Sequence, residues 1–501
     1  IASVDGGIHA QNPCFDGTGL SYPPGFPKGD ARFTNGKVIV ARSYFRSWDP
    51  PTPGDQTPWP GENGTSHGTH TSGTMACNAD TVMQLSDTYT ETISGVAPGA
   101  WVMSYRVFYP SNGIFSGSFL TAEGLKAIED AVADGADVIN NSWSGGSEVY
   151  PWMDPLAIAL DAAVDAGVFV TKSAGNEGPE WNSATSGGNA SQKVINVSAS
   201  TTTGTIASGF LSVTGPGTPP ANLQDRPLAF ASFGADWTTI STLTGLYTPV
   251  RVVATDGSSL ACDPLPSGSL AGTIALIERG ACEFGTKVLN AENAGAVAAI
   301  VFNSAAGGEG LINMSAGADG NKVTIPALFV QRSTGLGMND WYDANPGTAE
   351  ATIDNQVGSD PAELAFFTSR GAAFGRAIGP DVTAPGVNIL SAGYAQTTGE
   401  ARHLGFGQAS GTSMAAPHVA GAGALLKAMH PNWTPLQIQS ALMTTAKYDG
   451  ILSSDGGQAS ILEMGAGRID LTKAGDPGAT FDLPSISFGT VRAPQTLVQT
   501  I

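Results

Sequence analysis

Between Thr121 and Asn176 the chain runs twice through the same plan, and no other feature restricts the fold as much. TAEGLKAIEDAVADGADVIN reads as a helix, a stop at Gly135 and a strand. MDPLAIALDAAVDAGVFV repeats this with its stop at Gly167, about 32 residues further on. In the first helix Leu125, Ile128 and Val132 recur at three- and four-residue spacing, which aligns one apolar face. Glycine just past a last turn is favoured because it enters the left-handed conformation without steric cost. The strands DVIN and VFV read as continuous apolar runs, the pattern of a parallel sheet covered on both faces. Helix and strand units in alternation require right-handed crossovers, so the expected fold is α/β with a doubly wound parallel sheet. Sites in such sheets lie beyond the carboxyl ends of the strands. Attention therefore falls on the residues following IASV, DVIN and VFV.

Past about Gly204 the style changes. As far as Asp360 the chain is rich in Gly, Ser and Thr, with short strands such as VRVVA, TIALIER and AAIVF. One amphipathic helix, roughly Thr286 to Ala294, lies among them. From Ala365 the α/β style resumes through APGVNILSA, a helix after Ser410 and another at PLQIQSALMTTA. The expected organisation is one domain in two parts, 1–204 and 361–475, interrupted by a β-rich insertion over 205–360. The final stretch, 476–501, reads as the opening strands of a further β domain.

Composition excludes several classes. With 23 basic and 43 acidic residues the net charge is −20, which repels nucleic acid and anionic membranes. The longest purely apolar run, 294–302, has nine residues, far short of the roughly 20 that span a bilayer. The chain opens without Met on IASVD, already the end of a buried strand, so a processed product is expected. Four cysteines occur with no CxxC pair and no nearby ligand set for zinc. Two disulfides and an oxidising compartment fit this usage, the alternative being buried free thiols in a cytosolic protein.

The chemistry-bearing residues stand at element ends. In SGTSMAAPHV, Thr412 and Ser413 suit a helix start, where free N–H groups seek acceptors. This is either an ordinary capped, buried helix or a nucleophilic serine whose N–H groups can hold an oxyanion. A nucleophile needs a base. SHGTHTSGTMA offers His67 among small neighbours at a helix entrance, and His70 three residues on. That spacing could suit a metal, but no third ligand or HExxH is near, so zinc is set aside. Asp5 ends a strand before two glycines, where it either forms a turn or orients an imidazole. Asn176 follows VFV in SAGNEG, where its amide could donate to an oxyanion.

Taken together, the strand before DGG, SHGTHTSGT, SAGNEG and GTSMAAPHVAG closely resemble the subtilisin-like serine peptidases, the subtilases. The order Asp, His, Ser is that of subtilisin. The resemblance covers roughly 1–204 and 361–475. It implies Asp5 as orienting carboxylate, His67 as general base and acid, Ser413 as nucleophile, and Asn176 with the Ser413 N–H as oxyanion donors. No cofactor is implied for catalysis, no metal site is expected, and structural calcium is left open. One departure is Gly6, where family members commonly carry Thr or Ser. The resemblance also implies a cleft in which Ser142, Trp143, Ser144 and Gly145 face Ser173, Ala174 and Gly175 across an extended peptide. Trp143 reads equally well as core, and Glu177 lies at the rim.

From Ala261 to Asn303 the insertion resembles a protease-associated (PA) domain, which covers roughly 248–352. That resemblance implies a bond between Cys262 and Cys282 and leaves Cys14 to pair with Cys77. The tail after Gly475 resembles the start of a fibronectin-III-like domain. The implied protein is a secreted endopeptidase acting on protein or peptide substrates, with an N-terminal propeptide absent from this chain, no nucleic-acid partner and no membrane span. The alternative is a catalytically inactive surface or adhesion protein that binds through the PA domain. A second hydrolase reading, in which Gly64 to Gly68 match G-x-S-x-G around Ser66, fails because no core strand precedes them.

Overall fold

The computed structural model describes residues 1–61, 64–84, 90–144, 151–184, 191, 193–202, 205–231, 233–235, 242–305, 309, 311–312, 314, 319–359, 363–372, 378–396, 402–453, 456–486, 496–498 and 500. Two compact units emerge. Residues 1–202, 361–395 and 403–501 form one, and 203–360 with 396–402 form the other.

The first unit is built on eight strands. In chain order they are β1 (Ala2–Asp5), β2 (Lys28–Gly29), β3 (Val38–Ser43), β4 (Val102–Arg106), β5 (Val138–Asn141), β6 (Phe169–Ser173), β7 (Ile195–Ser200) and β8 (Val382–Pro385). Across the sheet they run β8-β7-β6-β5-β1-β4-β3-β2, every neighbouring pair parallel. The chain leaves β1 on one side through β2, β3 and β4, then returns to its other side at β5. This reversal places the carboxyl end of β1, and so Asp5, at the topological switch point.

Helices α1 (His67–Ala76), α2 (Thr121–Asp134), α3 (Pro155–Asp165), α4 (Thr412–Met429) and α5 (Pro435–Thr444) cover the sheet. Both glycine stops are left-handed, Gly135 at φ 91° and Gly167 at φ 97°. The apolar face of α2 buries Ala127, Ile128 and Ala131 in one core with α3 residues Leu156 and Leu160. The opposite core joins α1, α4 and α5 through Met75, Val419, Leu426, Ile438 and Leu442. Each large apolar side chain buried there contributes about 1.5–3 kcal/mol.

Helix α4 packs against α1 and against β5, β6, β7 and β8. Its small residues permit this. A side chain at Gly423 would begin 2.2 Å from the Phe169 ring, and one at Gly421 would begin 2.6 Å from Val96. Hence MAAPHVAGAG is a stretch that lets a helix lie on a sheet, not a weak helix.

The second unit is a closed barrel of seven strands. Alternate residues of Ile274–Glu278 face two cores. Ile274 and Leu276 join one, while Ala275 and Ile277 join the other. The expected helix is present over Phe284–Asn293. A second one, Arg332–Ala344, departs from the sequence expectation of a single helix. Its two glycines and short polar residues weaken helical propensity, yet Gly335 is required. A side chain there would begin 2.1 Å from the Phe302 ring. No strand occurs among the described residues of the 476–501 stretch, and the remainder of it lies outside them.

Candidate active site

Asp5 is buried at the end of β1, 1% exposed. Its Oδ1 accepts the Gly6 N–H at 2.6 Å, and its Oδ2 accepts the Thr71 hydroxyl at 3.4 Å. These bonds aim the carboxylate at His67, whose Nδ1 lies 2.8 Å from Oδ1 and 3.0 Å from Oδ2. Close approach of the backbones makes this possible. At Gly68 a side chain would begin 2.5 Å from Gly7 O and 3.1 Å from Asp5, so the first turn of α1 can sit on the Asp5 loop. Gly6 has a similar reason, since a side chain there would begin 2.8 Å from the Thr65 methyl.

His67 opens α1 with Ser66 as its N-cap residue, and its ring is half-buried, 32% exposed. Burial pulls its pKa down, but the charge of Asp5 and the hydrogen bond to it outweigh burial, so the pKa lies above the ordinary imidazole value. His70 behaves oppositely. Burial lowers it to about 4, and its Nε2 faces the carbonyls of Ile389 at 2.9 Å and Gly407 at 3.2 Å. It therefore stays neutral and ties backbone segments together. Among the described residues no group of three or more His, Cys, Asp or Glu could hold a metal ion.

Ser413 is the second residue of α4 and is half-buried. Its Oγ donates to Ser142 O at 3.2 Å, and no hydrogen bond joins it to His67 among the described residues. Asn176 follows β6 in an exposed position with its amide fixed. Its Oδ1 accepts both the N–H and the hydroxyl of Thr412, each at 2.9 Å. Since the carbonyl end is occupied, the NH₂ end remains as a donor beside the first turn of α4. In that turn the Thr412 N–H bonds Asn176 and the Met414 N–H bonds Gly411 O at 2.9 Å, whereas the Ser413 N–H, at the second helical position, has no acceptor four residues back in the helix. Thr412, which the sequence places at the helix start without giving it a part in the site, also accepts the Gly175 N–H at 3.2 Å.

The two segments nominated as cleft walls meet. Ser173 Oγ and Lys172 Nζ both donate to Trp143 O, at 3.1 and 2.8 Å. Ser142, Trp143, Ser173 and Ala174 are buried, whereas Ser144 is exposed and Gly145 lies outside the described residues. The Trp143 ring packs edge-on to Phe119 at 5.1 Å, so its side chain belongs to the core. Gly175 has φ 108°, and a side chain there would begin 2.2 Å from the Glu177 carboxylate. Ser66, the rival nucleophile, stands on a helix cap with no strand among the described residues from 52 to 65.

Disulfides join Cys14 to Cys77 and Cys262 to Cys282. The first ties the segment after Asp5 to the C-terminal end of α1, whose first residue is His67.

A family model described as the subtilase family, peptidase S8, matches residues 1–478. The chain belongs to the subtilase family. It is 32% identical to subtilisin-like protease SBT1.6 of Arabidopsis thaliana over 98% of this chain and 65% of that protein. With SBT1.7 of the same plant it shares 32% identity over 96% of this chain and 64% of the relative. Minor extracellular protease Vpr of Bacillus subtilis is 30% identical over 85% of this chain and 47% of that protein. The subtilase sequence thus spans somewhat less than two thirds of these two plant relatives and about half of the bacterial one. Among its described residues no helix is long and apolar enough to cross a membrane.

Proposed function

We propose that this subtilase is a secreted serine endopeptidase that cleaves peptide bonds through an acyl-enzyme on Ser413. The observation that carries the reading is the bond from His67 Nδ1 to Asp5 Oδ1 at 2.8 Å. It leaves Nε2 as the basic nitrogen, since the Nδ1 proton is committed to the carboxylate. A substrate carbonyl seated at the start of α4 draws the Ser413 hydroxyl from Ser142 O to Nε2. The Oγ attacks the carbonyl carbon while Nε2 takes its proton. Asp5 stabilises the imidazolium, and the Asn176 NH₂ and the Ser413 N–H receive the oxyanion. The tetrahedral adduct collapses as Nε2 passes the proton to the leaving amine. Water, deprotonated by the same nitrogen, then releases the acyl group. These four residues supply every group the reaction needs, so we read it as cofactor-independent.

An extended peptide is the fitting substrate, lying between the 142–144 and 173–175 segments by main-chain pairing. We read the inserted barrel as a non-catalytic PA domain that influences substrate access. The two disulfides support an extracellular setting.

The test is peptide hydrolysis with phosphonate labelling for Ser413→Ala, His67→Ala, the double variant and Ser66→Ala. Each of the first two single losses should be nearly as damaging as the double, because the surviving residue has nothing left to assist. Additive losses, or labelling that survives in Ser413→Ala and vanishes in Ser66→Ala, would refute the assignment. A wild-type protein that neither turns over nor labels would favour the binding protein.

A further inference from the structure

Helix α4 carries Pro417 four residues after Ser413. Proline has no N–H, so the helix cannot supply the donor that would ordinarily bond the Ser413 carbonyl. That carbonyl is nevertheless satisfied. The Ser142 hydroxyl donates to Ser413 O at 2.8 Å. Ser142 is 2% exposed, and its own oxygen accepts from Asn140 Nδ2 at 2.9 Å. Asn140 in turn accepts the Thr171 hydroxyl at 3.0 Å, with Asn140 and Thr171 both fully buried. A directed chain of donors thus runs from Thr171 on β6 through Asn140 on β5 to Ser142 and the nucleophile's carbonyl. Because Ser142 Oγ already accepts from Asn140, its single proton is committed to Ser413. In a buried setting such a chain polarises each bond in turn.

We propose that Ser142, held by Asn140, is a positioning residue for Ser413 and replaces the helix donor that Pro417 removes. The proposal rests on reading Ser413 as the nucleophile. Fixing the Ser413 carbonyl fixes the 413–414 peptide plane and so the backbone from which the Oγ projects toward the substrate, while Asn176 holds the preceding residue, Thr412. Pro417 has a matching consequence. It leaves the first turn free to be set by the sheet rather than by the helix ladder, so strand ends that line the cleft also place the nucleophile.

The experiment is a two-by-two set, Ser142→Ala with and without Pro417→Ala, assayed on a chromogenic peptide anilide. In the Pro417 background Ser142→Ala should lower kcat by about 10- to 100-fold, the scale of loss when a reacting group is slightly misplaced, with KM little changed. In the Pro417→Ala background residue 417 has an N–H for Ser413 O, so the same substitution should cost only a few-fold. Ser142→Thr, which keeps the hydroxyl, should retain most of kcat. Equal costs in both backgrounds, or a loss confined to KM, would overturn the proposal. If Ser142→Ala fails to fold, the double variant is expected to fold and turn over, and its failure would overturn the proposal equally. Ser413→Ala separates the two ideas. If it keeps activity, the nucleophile reading itself is wrong. If it is inactive while Ser142→Ala is unimpaired, only the positioning role falls.

Discussion

The Asn176 side-chain Oδ1 and the Thr412 backbone nitrogen lie 2.9 Å apart, so the loop after β6 is latched to the first residue of the helix that carries Ser413. The latch decides which way the amide points. With Oδ1 bonded to Thr412, the NH₂ end is the one left to meet the oxyanion of the proposed mechanism. Asn176→Ala should lower kcat by about 10²–10³-fold with KM nearly unchanged, the loss known for removing the equivalent donor from subtilisin. Asn176→Asp keeps the acceptor for Thr412 and removes the donor, so it should lose kcat at least as severely while the helix start stays in place. Steady-state kinetics on a peptide anilide check both. A loss that appears only in KM would move Asn176 from the oxyanion to substrate binding.

The Asp5–His67 pair sets a pH dependence. In the proposed mechanism His67 must be neutral to act as base, and Asp5 raises its pKa despite burial. The acid limb of kcat/KM should therefore have its midpoint above the ordinary value of 6.5. Stability runs the other way. Protonated His67 favours the folded state, so its contribution is fully present below the unfolded pKa and is lost as pH rises through the folded one. Asp5→Asn removes the charge but not the burial. It should shift the acid limb to lower pH and reduce kcat by roughly 10⁴-fold, as neutralising a triad carboxylate does elsewhere. A limb that stays in place would show that Asp5 is not the dominant influence.

The bridges should differ in accessibility and in worth. Cys14 and Cys77 are 0% and 1% exposed, whereas Cys262 and Cys282 are half-buried. Mild reduction followed by alkylation should label Cys262 and Cys282 first, read by peptide mass mapping. By the chain-entropy model, the Cys14–Cys77 bridge, with a separation of 63, is worth about 4 kcal/mol. The Cys262–Cys282 bridge, with a separation of 20, is worth about 3. Serine replacement of Cys14 and Cys77 should also shorten the half-life of activity on heating, because it frees the segment after Asp5 from α1.

What the sequence makes legible follows the range over which a residue acts. Gly135 and Gly167 terminate helices through bonds within a few residues, so their role is visible in a short window. The strand ends before Asp5 and Asn176 are likewise local, and so is the small-residue run of α4. Ser142 is different. Its hydroxyl meets a carbonyl 271 residues away, and a serine after DVIN gives no sign of which acceptor it will find. Thr412 is hidden for the same reason, its partners being 236 and 237 residues away. The helix over 332–344 is missed because Gly335 packs on Phe302, a tertiary demand that lowers the local helical signal. Lys172 sits in an apolar strand pattern that gives no warning of a buried ammonium group.

That lysine yields the last prediction. Lys172 is fully buried in β6, its Nζ donating to Trp143 O at 2.8 Å and lying 4.7 Å from the Trp143 ring centre. Burial lowers its pKa from 10.5 to about 7, against the opposing pull of Glu177 and Asp154. Between these values the unfolded chain binds a proton that the folded protein has lost, so stability rises with pH across the window. The slope from this one group approaches about 1.4 kcal/mol per pH unit at its steepest. Lys37 and Lys287, each lowered to about 8 by burial, add slopes of the same sign, so the readout must be a difference. Lys172→Met removes the charge and keeps most of the volume, while Ser173 Oγ continues to donate to Trp143 O at 3.1 Å. Urea unfolding of Ser413→Ala protein, chosen to prevent self-digestion, should show stability climbing between about pH 7 and about pH 10. Adding Lys172→Met should flatten that climb, and the variant should gain relative to its parent as pH falls toward about 7. Parallel curves with and without the lysine would mean that the ammonium is hydrated in solution and that Trp143 O is held by Ser173 alone.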